Sequence, residues 1–324
     1  MQTRPWCLGA LVIYHNSTMK RRLFLQLTPA AALGTKLEAL AEAPMPMATL
    51  GKSGLRVSRF CLGGYHAAMH GEENALRIIR RALDLGVNFF DSAHHYNDGL
   101  SDAVYGKAFS GGLRPKVVLM SKAQLRDRES AMRQLEETLK RMRTDHLDLW
   151  QCHEVSTHEE VNRIVAPGGS LEAFVKAKEQ GKALHIGFTG HHDPSVHRRL
   201  LDAYDGWETV QHPVNLIDPH YLSFIREVLP HARTKRLGVI AMKTNAMGNI
   251  HKQGIATIQE CLRFALSHDV DTVASGVETV EQLEENVLTF KTFQKMSRDE
   301  IAVLLARTAR GPIGPKVEDY KKSA

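Results

Sequence analysis

The chain has 324 residues, of which 43% are hydrophobic, enough to bury one large core or two smaller ones. Residues 1–43 carry five Lys or Arg against two Asp or Glu, and so supply half of the formal net charge of +6. The rest of the chain is nearly balanced in charge, and Trp and Tyr number only three and seven. The composition therefore argues against a protein that binds nucleic acid.

The cysteines also exclude a class of site. Cys7, Cys61, Cys152 and Cys261 lie far apart and form no CxxC pair, so neither a zinc ribbon nor an iron–sulfur cluster is expected. Three of the four sit in apolar segments and are predicted to be ordinary core thiols.

The first 43 residues have the pattern of an export leader. Lys20-Arg21-Arg22 precedes a short apolar stretch, residues 23–34, and Ala39-Leu40-Ala41 offers a small-residue cleavage site. The paired arginines resemble the bacterial twin-arginine signal, whereas the stretch is too short and too polar to span a membrane. We therefore predict export to the periplasm by the twin-arginine machinery, with no stable membrane insertion and with Met1 or Met19 as the start. The alternative is an amphipathic or disordered tail on a cytoplasmic protein.

From residue 44 to the end, the chain alternates between strand and helix signals as a single domain. Short apolar runs predict strands that begin near Val57, Asn88, Lys116, Leu147, Leu184, Thr209, Gly238 and Asp271. Apolar stripes with a 3.6-residue period predict the helices between and after them, at Glu72–Leu85, Ser101–Phe109, Glu129–Arg143, Leu171–Gln180, Ser195–Tyr204, Leu222–Arg236, Thr257–His268 and Val280–Phe290. Eight such units predict an α/β fold of the (β/α)8 TIM-barrel type. An open doubly wound sheet is the alternative, but the Gly-rich turn that it needs after the first strand is missing.

Segments at the two ends of this region complete the prediction. Residues 49–55 contain glycines on both sides of a turn, which predicts a hairpin that closes the bottom of the barrel. The chain after Thr289 is predicted to be helical as far as Arg310, and the Gly- and Pro-rich residues 311–315 are predicted to form a loop.

Four polar residues stand at or just beyond the ends of successive predicted strands. Asp91 and Tyr96 follow the second strand, Lys122 closes the third, and His153 closes the fourth. The carboxyl ends of parallel barrel strands meet at one rim, and that rim is where barrel enzymes carry their chemistry. We therefore expect the four side chains to converge.

The ordered set of motifs around these residues resembles the aldo-keto reductases. The resemblance runs from about Met47 to the end of the chain, and the matching stretches are Leu50–Ser58, Phe90–Tyr96, Ser121-Lys122, Gln151-Cys152-His153, Ile186–Gly190 and Glu284-Glu285-Asn286. The resemblance implies an NAD(P)H-dependent reductase of small aldehydes or ketones, or the reverse reaction, with Asp91, Tyr96, Lys122 and His153 as the catalytic tetrad.

The chemistry explains why a carbonyl reductase needs these residue types. Tyr96 is the proton donor, and a Lys122 ammonium nearby is expected to lower the pKa of its phenol. Asp91 pairs with Lys122, since a buried lone ammonium would be costly. His153 is expected to hydrogen-bond the substrate oxygen and orient it.

The resemblance also assigns a cofactor site, for NADP(H) with NAD(H) as the alternative. Thr189 and Gln211 should hold the nicotinamide carboxamide, whereas Gly190 stands where many family members carry Asn. Met242 replaces the aromatic residue that often stacks on the nicotinamide. The other predicted cofactor contacts are Gly64, Tyr65, Asp91, Lys243, Gly276, Thr279, Gln282, Glu285 and Asn286.

The basic residues that usually bind the 2′-phosphate of NADPH are missing from this set. Gly276 and Gln282 stand at their positions, and Glu278 adds a negative charge nearby. A weaker preference for NADPH over NADH is therefore expected.

Two other classes of function remain open at this point. A metal-dependent barrel hydrolase would need converging His ligands, and His94-His95 and His191-His192 follow strands. However, adjacent residues of a strand point to opposite sides, no HExxH motif occurs, and we expect no metal ligands. A barrel that binds a dinucleotide without catalysis, as a regulatory subunit, is the second alternative.

Overall fold

The computed structural model describes residues 43–323, and the predicted leader lies outside the described residues apart from Ala43. Ten strands are assigned in this range. They are β1 (Met47–Thr49), β2 (Arg56–Ser58), β3 (Phe60–Gly63), β4 (Phe89–Asp91), β5 (Val118–Ala123), β6 (Leu147–Cys152), β7 (Ala183–Thr189), β8 (Thr209–Pro213), β9 (Gly238–Met242) and β10 (Thr272–Gly276).

Strands β3 to β10 form a closed barrel. Each pairs in parallel with the next along the chain, and β10 returns to pair with β3, with Val273 opposite Phe60. Helices follow the barrel strands, as a (β/α)8 barrel requires, so the predicted fold class is confirmed.

The helices agree closely with the sequence periodicity. They are α1 (Gly64–Ala67), α2 (Glu72–Asp84), α3 (Leu100–Ala108), α4 (Arg128–Met142), α5 (His158–Val165), α6 (Ser170–Glu179), α7 (Pro194–Ala203), α8 (Phe224–Glu227), α9 (Leu229–Thr234), α10 (Asn249–Lys252), α11 (Ile258–Ser267), α12 (Val280–Lys291) and α13 (Arg298–Thr308). Within residues 43–323, none of these helices is both long and apolar enough to cross a membrane.

Two predicted helices were wrong in extent. The stretch 222–236 is divided into α8 and α9, with Pro230 in the first turn of α9, where its missing N–H leaves no helical hydrogen bond unmade. The helix predicted to run on to Arg310 stops at Lys291 and resumes at Arg298, where Ser297 caps α13.

The N-terminal hairpin closes the amino-terminal end of the barrel. β1 and β2 pair antiparallel, and Leu50 in the connection is fully buried in a cluster with the inward-facing Cys61, Phe89 and Ile240. Gly51 approaches so closely that a Cβ there would lie 2.0 Å from the backbone nitrogen of Gly238. The prediction that Val57 begins the first barrel strand was wrong, because Val57 belongs to β2 and the barrel strand begins at Phe60.

The C-terminal tail is packed more tightly than its polar sequence predicts. Lys321 is fully buried, and its ammonium contacts Asp218 at 2.7 Å and Glu318 at 3.0 Å. Asn215, which follows β8, donates to Glu318 at 2.7 Å. These contacts fasten the tail against the loop after β8, so the residues beyond the predicted Gly-Pro loop belong to the folded core.

Candidate active site

The four predicted tetrad residues lie at one end of the barrel. Asp91 is the last residue of β4, Lys122 is the penultimate residue of β5, and His153 directly follows β6. Tyr96 lies in a 3-10 turn, Tyr96–Gly99, five residues beyond the end of β4. Because the strands are parallel neighbours, their carboxyl ends bring these side chains together.

Lys122 is the centre of the group. Its ammonium donates to the Asp91 carboxylate, to the Ser92 carbonyl at 2.7 Å and toward the Tyr96 hydroxyl at 3.4 Å. Burial alone would lower the pKa of Lys122, but the neighbouring Asp91 and Tyr96 raise it, and the net shift is upward. The side chain is therefore a charged ammonium that is held in place by three oxygens.

The pKa of Tyr96 differs from the sequence expectation. Burial raises the pKa of its phenol to about 12, and the Lys122 ammonium, 4.8 Å above the ring, opposes this shift without reversing it. The expected lowering by Lys122 is real in direction, but desolvation of the phenolate outweighs it. Tyr96 is consequently a protonated phenol at neutral pH, which is the form that a proton donor needs.

His153 is a neutral imidazole next to this phenol. Burial and the nearby Lys122 charge hold the pKa of His153 well below its usual range. Its ring lies 5.6 Å from that of Tyr96, and its Nδ1 atom is buried without a protein partner. A buried imidazole nitrogen with no partner can accept or donate a hydrogen bond to a bound molecule.

Two residues that were not predicted as site residues support this arrangement. His95 packs against the rings of both Tyr96 and His153, at 5.2 Å and 5.0 Å. Arg126 is buried and donates to the carbonyls of His153 and Glu154 at 2.8 and 3.1 Å. His95 was visible in the motif before Tyr96, whereas nothing in the sequence distinguishes Arg126 from a surface arginine.

Thr189 and Gln211 fit an amide ligand. Thr189 ends β7 and is paired in register with Gln211 in the middle of β8, and both side chains are buried. Gln211 makes a side-chain hydrogen bond with Asp91, yet its Oε1 atom is buried without a partner. A free carbonyl acceptor here matches the NH₂ group of a nicotinamide carboxamide.

Gly190 provides no side chain for that amide, and the packing explains why. A Cβ at Gly190 would lie 2.5 Å from the Val155 carbonyl oxygen and 2.5 Å from the ring of His197. Neither neighbour can move easily, because one is backbone and the other is a fully buried ring.

Met242 and Lys243 lie at the carboxyl end of β9. Met242 is half-buried, and Lys243 takes a left-handed backbone conformation with φ of 52°. The Lys243 ammonium lies 4.8 Å over the ring of Tyr320 in the C-terminal tail, and burial lowers its pKa.

The remaining predicted cofactor residues lie where β3 and β10 adjoin. Gly276 ends β10 and pairs with Gly63, the last residue of β3. Gly64 and Tyr65, the first two residues of α1, follow Gly63 directly. A Cβ at Gly276 would fall 2.3 Å from the ring of His66, so only a glycine leaves this approach to the backbone open.

The N-terminus of α12 lies in the same region. Thr279 caps the helix by accepting a hydrogen bond from the Gln282 backbone, and Asn286 donates to Ser275 at 3.3 Å. Glu285 is exposed. The Gln282 Oε1 atom accepts a hydrogen bond from the Glu278 backbone N–H at 2.8 Å. The Glu278 carboxylate contacts the His70 ring at 2.8 Å. The predicted cofactor residues therefore lie on several neighbouring elements of the barrel, and within residues 43–323 no Lys or Arg contact is found at Gly276, Glu278 or Gln282.

The strand-alternation argument against paired histidines does not apply, because neither pair lies in a strand. His94 and His95 lie in the turn after β4, where His94 contacts Glu137 at 2.7 Å while His95 faces His153. His191 and His192 lie in the loop after β7, and their Nε2 atoms contact Glu154 at 3.3 and 3.8 Å. The expectation that adjacent histidines point apart was therefore wrong for the second pair.

The cysteine prediction is confirmed for the described residues. Cys61, Cys152 and Cys261 are buried free thiols.

The sequence matches a known protein family. The sequence model of the Aldo/keto reductase family matches residues 59–254. The chain is similar to the uncharacterized oxidoreductase YrpG of Bacillus subtilis, with 36% identity over 61% of this chain and 66% of that protein. It is also similar to L-galactose dehydrogenase of Arabidopsis thaliana, with 25% identity over 78% of this chain and 90% of that protein.

A solved structure shares the fold. An aldo-keto reductase from Klebsiella pneumoniae in complex with NADPH superposes with a TM-score of 0.64 and 23% identity, over 80% of this chain and 94% of that one. The matched segment spans just under two thirds of the length of YrpG, but the family model alone covers more than half of this chain. The chain belongs to the aldo/keto reductase family.

Proposed function

We propose that this protein is an NAD(P)H-dependent reductase of small carbonyl compounds, in which Tyr96 is the general acid. The observation that carries the proposal is the meeting of Tyr96, Lys122 and His153 at the carboxyl end of the barrel. The oxidoreductase names of its relatives support the same class of reaction.

The side chains divide the work of carbonyl reduction between them. The nicotinamide, when bound, supplies the hydride to the carbonyl carbon. The Tyr96 hydroxyl donates its proton to the carbonyl oxygen, and the Lys122 ammonium stabilises the phenolate that remains. His153, neutral and with a free ring nitrogen, orients the same oxygen. Proton donation of this kind contributes about 10²–10⁴ in rate.

The cofactor is held by groups that the described structure leaves available. Gln211 offers its unpaired Oε1 to the carboxamide, beside Thr189. The capped N-terminus of α12, near Gly276, suits a phosphate group. NADP(H) is proposed because the Klebsiella relative binds NADPH. NAD(H) is the alternative, because within residues 43–323 Glu278 contacts the His70 ring and Gln282 accepts from the Glu278 backbone, with no Lys or Arg partner at either residue.

The substrate is proposed to be small and polar. The loop after β6, which carries the catalytic His153, continues into α5 and includes Ser156, Thr157 and His158. One relative is named for a sugar, L-galactose, and hydroxylated aldehydes or sugars suit a polar rim better than large apolar molecules.

One assay separates this proposal from a hydrolase and from a non-catalytic barrel. Purified protein is mixed with NADPH or NADH and a panel of aldehydes, ketones and sugars, and the loss of nicotinamide absorbance is followed. Turnover that resists chelators and falls by roughly 10²–10⁴ in Tyr96→Phe supports the mechanism. Tight cofactor binding without turnover on any carbonyl would instead identify a regulatory barrel, and unchanged turnover in Tyr96→Phe would disprove the role of Tyr96.

We also propose export by the twin-arginine machinery, on the sequence of residues 1–43 alone. The machinery that fits Arg21-Arg22 carries folded proteins, which suits an enzyme that loads its cofactor before export.

A further inference from the structure

Three possible metal ligands meet at the mouth of the barrel, outside the tetrad. Glu154 is the second residue after β6, and His191 and His192 follow β7 by two and three residues. The carboxylate and the two imidazoles place one ligand atom each within 4.8 Å of one another. No other such group of three occurs within residues 43–323.

The distances match those around a small divalent ion. Glu154 Oε1 lies 3.3 Å from His191 Nε2 and 3.8 Å from His192 Nε2. A tetrahedral ion with bonds of about 2.0–2.1 Å holds its ligand atoms roughly 3.3 Å apart. The edge from Glu154 to His191 already has this length, the edge from Glu154 to His192 is longer, at 3.8 Å, and the edge between the two imidazoles is at most 4.8 Å.

Each of the three ligand residues is held in place by neighbours, Glu154 and His192 through the backbone and His191 through its ring. Arg126 donates to the Glu154 carbonyl, which also accepts from Ser156 at 2.9 Å. The His192 carbonyl accepts from the Lys322 backbone at 3.3 Å, and the His191 ring packs edge-on against Tyr320 at 5.4 Å. The C-terminal tail thus positions both histidines opposite Glu154.

The charges around the three ligands have both signs. Glu154 supplies a carboxylate, which offsets the charge of a bound cation. Lys243 is the opposing charge that acts on Glu154 and on both histidines, and Lys322 adds to it at His192.

We propose that Glu154, His191 and His192 form a binding site for a divalent transition-metal ion such as Zn²⁺. Two imidazoles and one carboxylate select Zn²⁺, Ni²⁺ or Cu²⁺ over Mg²⁺, which prefers oxygen ligands. Three protein ligands leave at least one coordination position open to water or to a substrate oxygen. The site lies at the same end of the barrel as His153, but its existence does not depend on the proposed reductase activity.

The test is to titrate the full, tag-free protein with Zn²⁺ alone and to record the heat of binding by isothermal titration calorimetry. One strong site per chain is expected in the wild type. Loss of a residue that only hydrogen-bonds to a metal ligand typically lowers metal affinity about 10–100-fold. Each loss of a direct ligand should lower zinc affinity by at least that factor, and the variants that test this are Glu154→Gln, His191→Gln and His192→Gln. Lys243→Gln should strengthen binding, because it removes the opposing charge, and Mg²⁺ should not compete.

His231→Gln is the matched control. His231 forms a comparable pair with Asp202 at 2.7 Å, with a single imidazole, so its loss should leave zinc affinity unchanged. Co²⁺ added in place of Zn²⁺ gives a second readout, since its visible absorption reports direct coordination. His192 is the more exposed of the two rings, so His192→Gln should fold normally and keep the test decisive.

Two results would overturn the proposal. One is a zinc affinity that the Glu154, His191 and His192 variants leave unchanged. The other is an affinity that falls instead in His95→Gln, which would place the ion between the His95 and His153 rings, 5.0 Å apart.

Discussion

Replacing Lys122 by Met should separate the two roles of the buried pair that it forms with Asp91. Lys122 is 1% exposed and the Asp91 side chain 6% exposed, so removing the ammonium leaves a carboxylate buried without its partner. Breaking a buried pair in this way costs about 3–5 kcal/mol of folding free energy. The proposed reductase activity should fall as well, by roughly 10²–10⁴, since nothing would then stabilise the Tyr96 phenolate.

The double variant Asp91→Asn, Lys122→Met makes this prediction sharp. Replacing both partners by uncharged groups is often close to neutral for stability, so the double variant should recover most of the loss of the single one. Its activity should not recover, because the ammonium beside Tyr96 is still missing. Stability recovers without activity only if the ion pair and the proton transfer are distinct functions of Lys122.

Urea unfolding, with NAD(P)H turnover measured below the transition, provides both readouts. Lys107→Met is the control, because Lys107 pairs with Glu72 at a surface where both side chains are at least 40% exposed. Its loss should change the free energy of unfolding by under about 1 kcal/mol. A single Lys122→Met variant as stable as this control, or a double variant that regains turnover, would refute the reasoning.

Three further predictions concern the cofactor site, the C-terminal tail and the predicted leader. Gln282→Arg should raise NADPH affinity by about 1–2 kcal/mol and leave NADH affinity unchanged, since an arginine adds charge-assisted hydrogen bonds to the 2′-phosphate. A fluorescence titration measures both affinities, and equal gains for the two dinucleotides would mean that the 2′-phosphate lies elsewhere. Lys321→Met should lower the free energy of unfolding by about 3–5 kcal/mol, because it leaves the buried Asp218 and Glu318 carboxylates without their ammonium partner. Lys322→Met is the control and should have little effect, since Lys322 is exposed. Changing Arg21 and Arg22 to Lys should retain the protein in the cytoplasm of its host, as seen by fractionation, and export of that variant would contradict the twin-arginine proposal.

The sequence predicted the features that depend on local pattern. The alternation of strand and helix gave eight units, because each barrel strand and each amphipathic helix leaves its own periodicity. The ends of the strands then placed Asp91, Lys122 and His153 on one rim without knowledge of any contact. The start of the first barrel strand was misjudged because Val57 and Phe60 are only three residues apart, and nothing in the sequence marks the bend at Arg59 that separates the hairpin strand from the barrel strand.

What the sequence did not predict depends on burial and on contacts across the chain. The pKa of Tyr96 rises because its hydroxyl is desolvated, and desolvation cannot be judged from neighbouring residues in sequence. From the sequence, Glu318 and Lys321 are typical of a solvent-exposed tail, but in the structure both are buried and Lys321 contacts Asp218 and Glu318. Likewise, Glu154 and His191 are 37 residues apart in number, and only the adjacency of β6 and β7 brings them into contact.

Gly190 offers a final test of how packing limits the cofactor site. Many members of the family carry Asn at this position, and by that pattern alone Gly190→Asn would restore an amide contact with the nicotinamide. The structure predicts otherwise, because the new Cβ would lie 2.5 Å from the backbone oxygen of Val155 and from His197. The His197 ring is itself confined between Phe188 and Phe224, at 5.2 and 5.0 Å.

Both Gly190→Ala and Gly190→Asn should therefore destabilise the protein, by about 1–3 kcal/mol or more, and neither should tighten NADPH binding. Gly311→Ala is the control, since a Cβ there would meet nothing closer than 3.7 Å, and its effect should stay within about 0.5 kcal/mol. Thermal unfolding and a cofactor titration decide the matter. If Gly190→Asn is as stable as the wild type and binds NADPH more tightly, then Val155 and His197 yield to the side chain. The glycine would then be a dispensable departure from the family pattern and not a requirement of this packing.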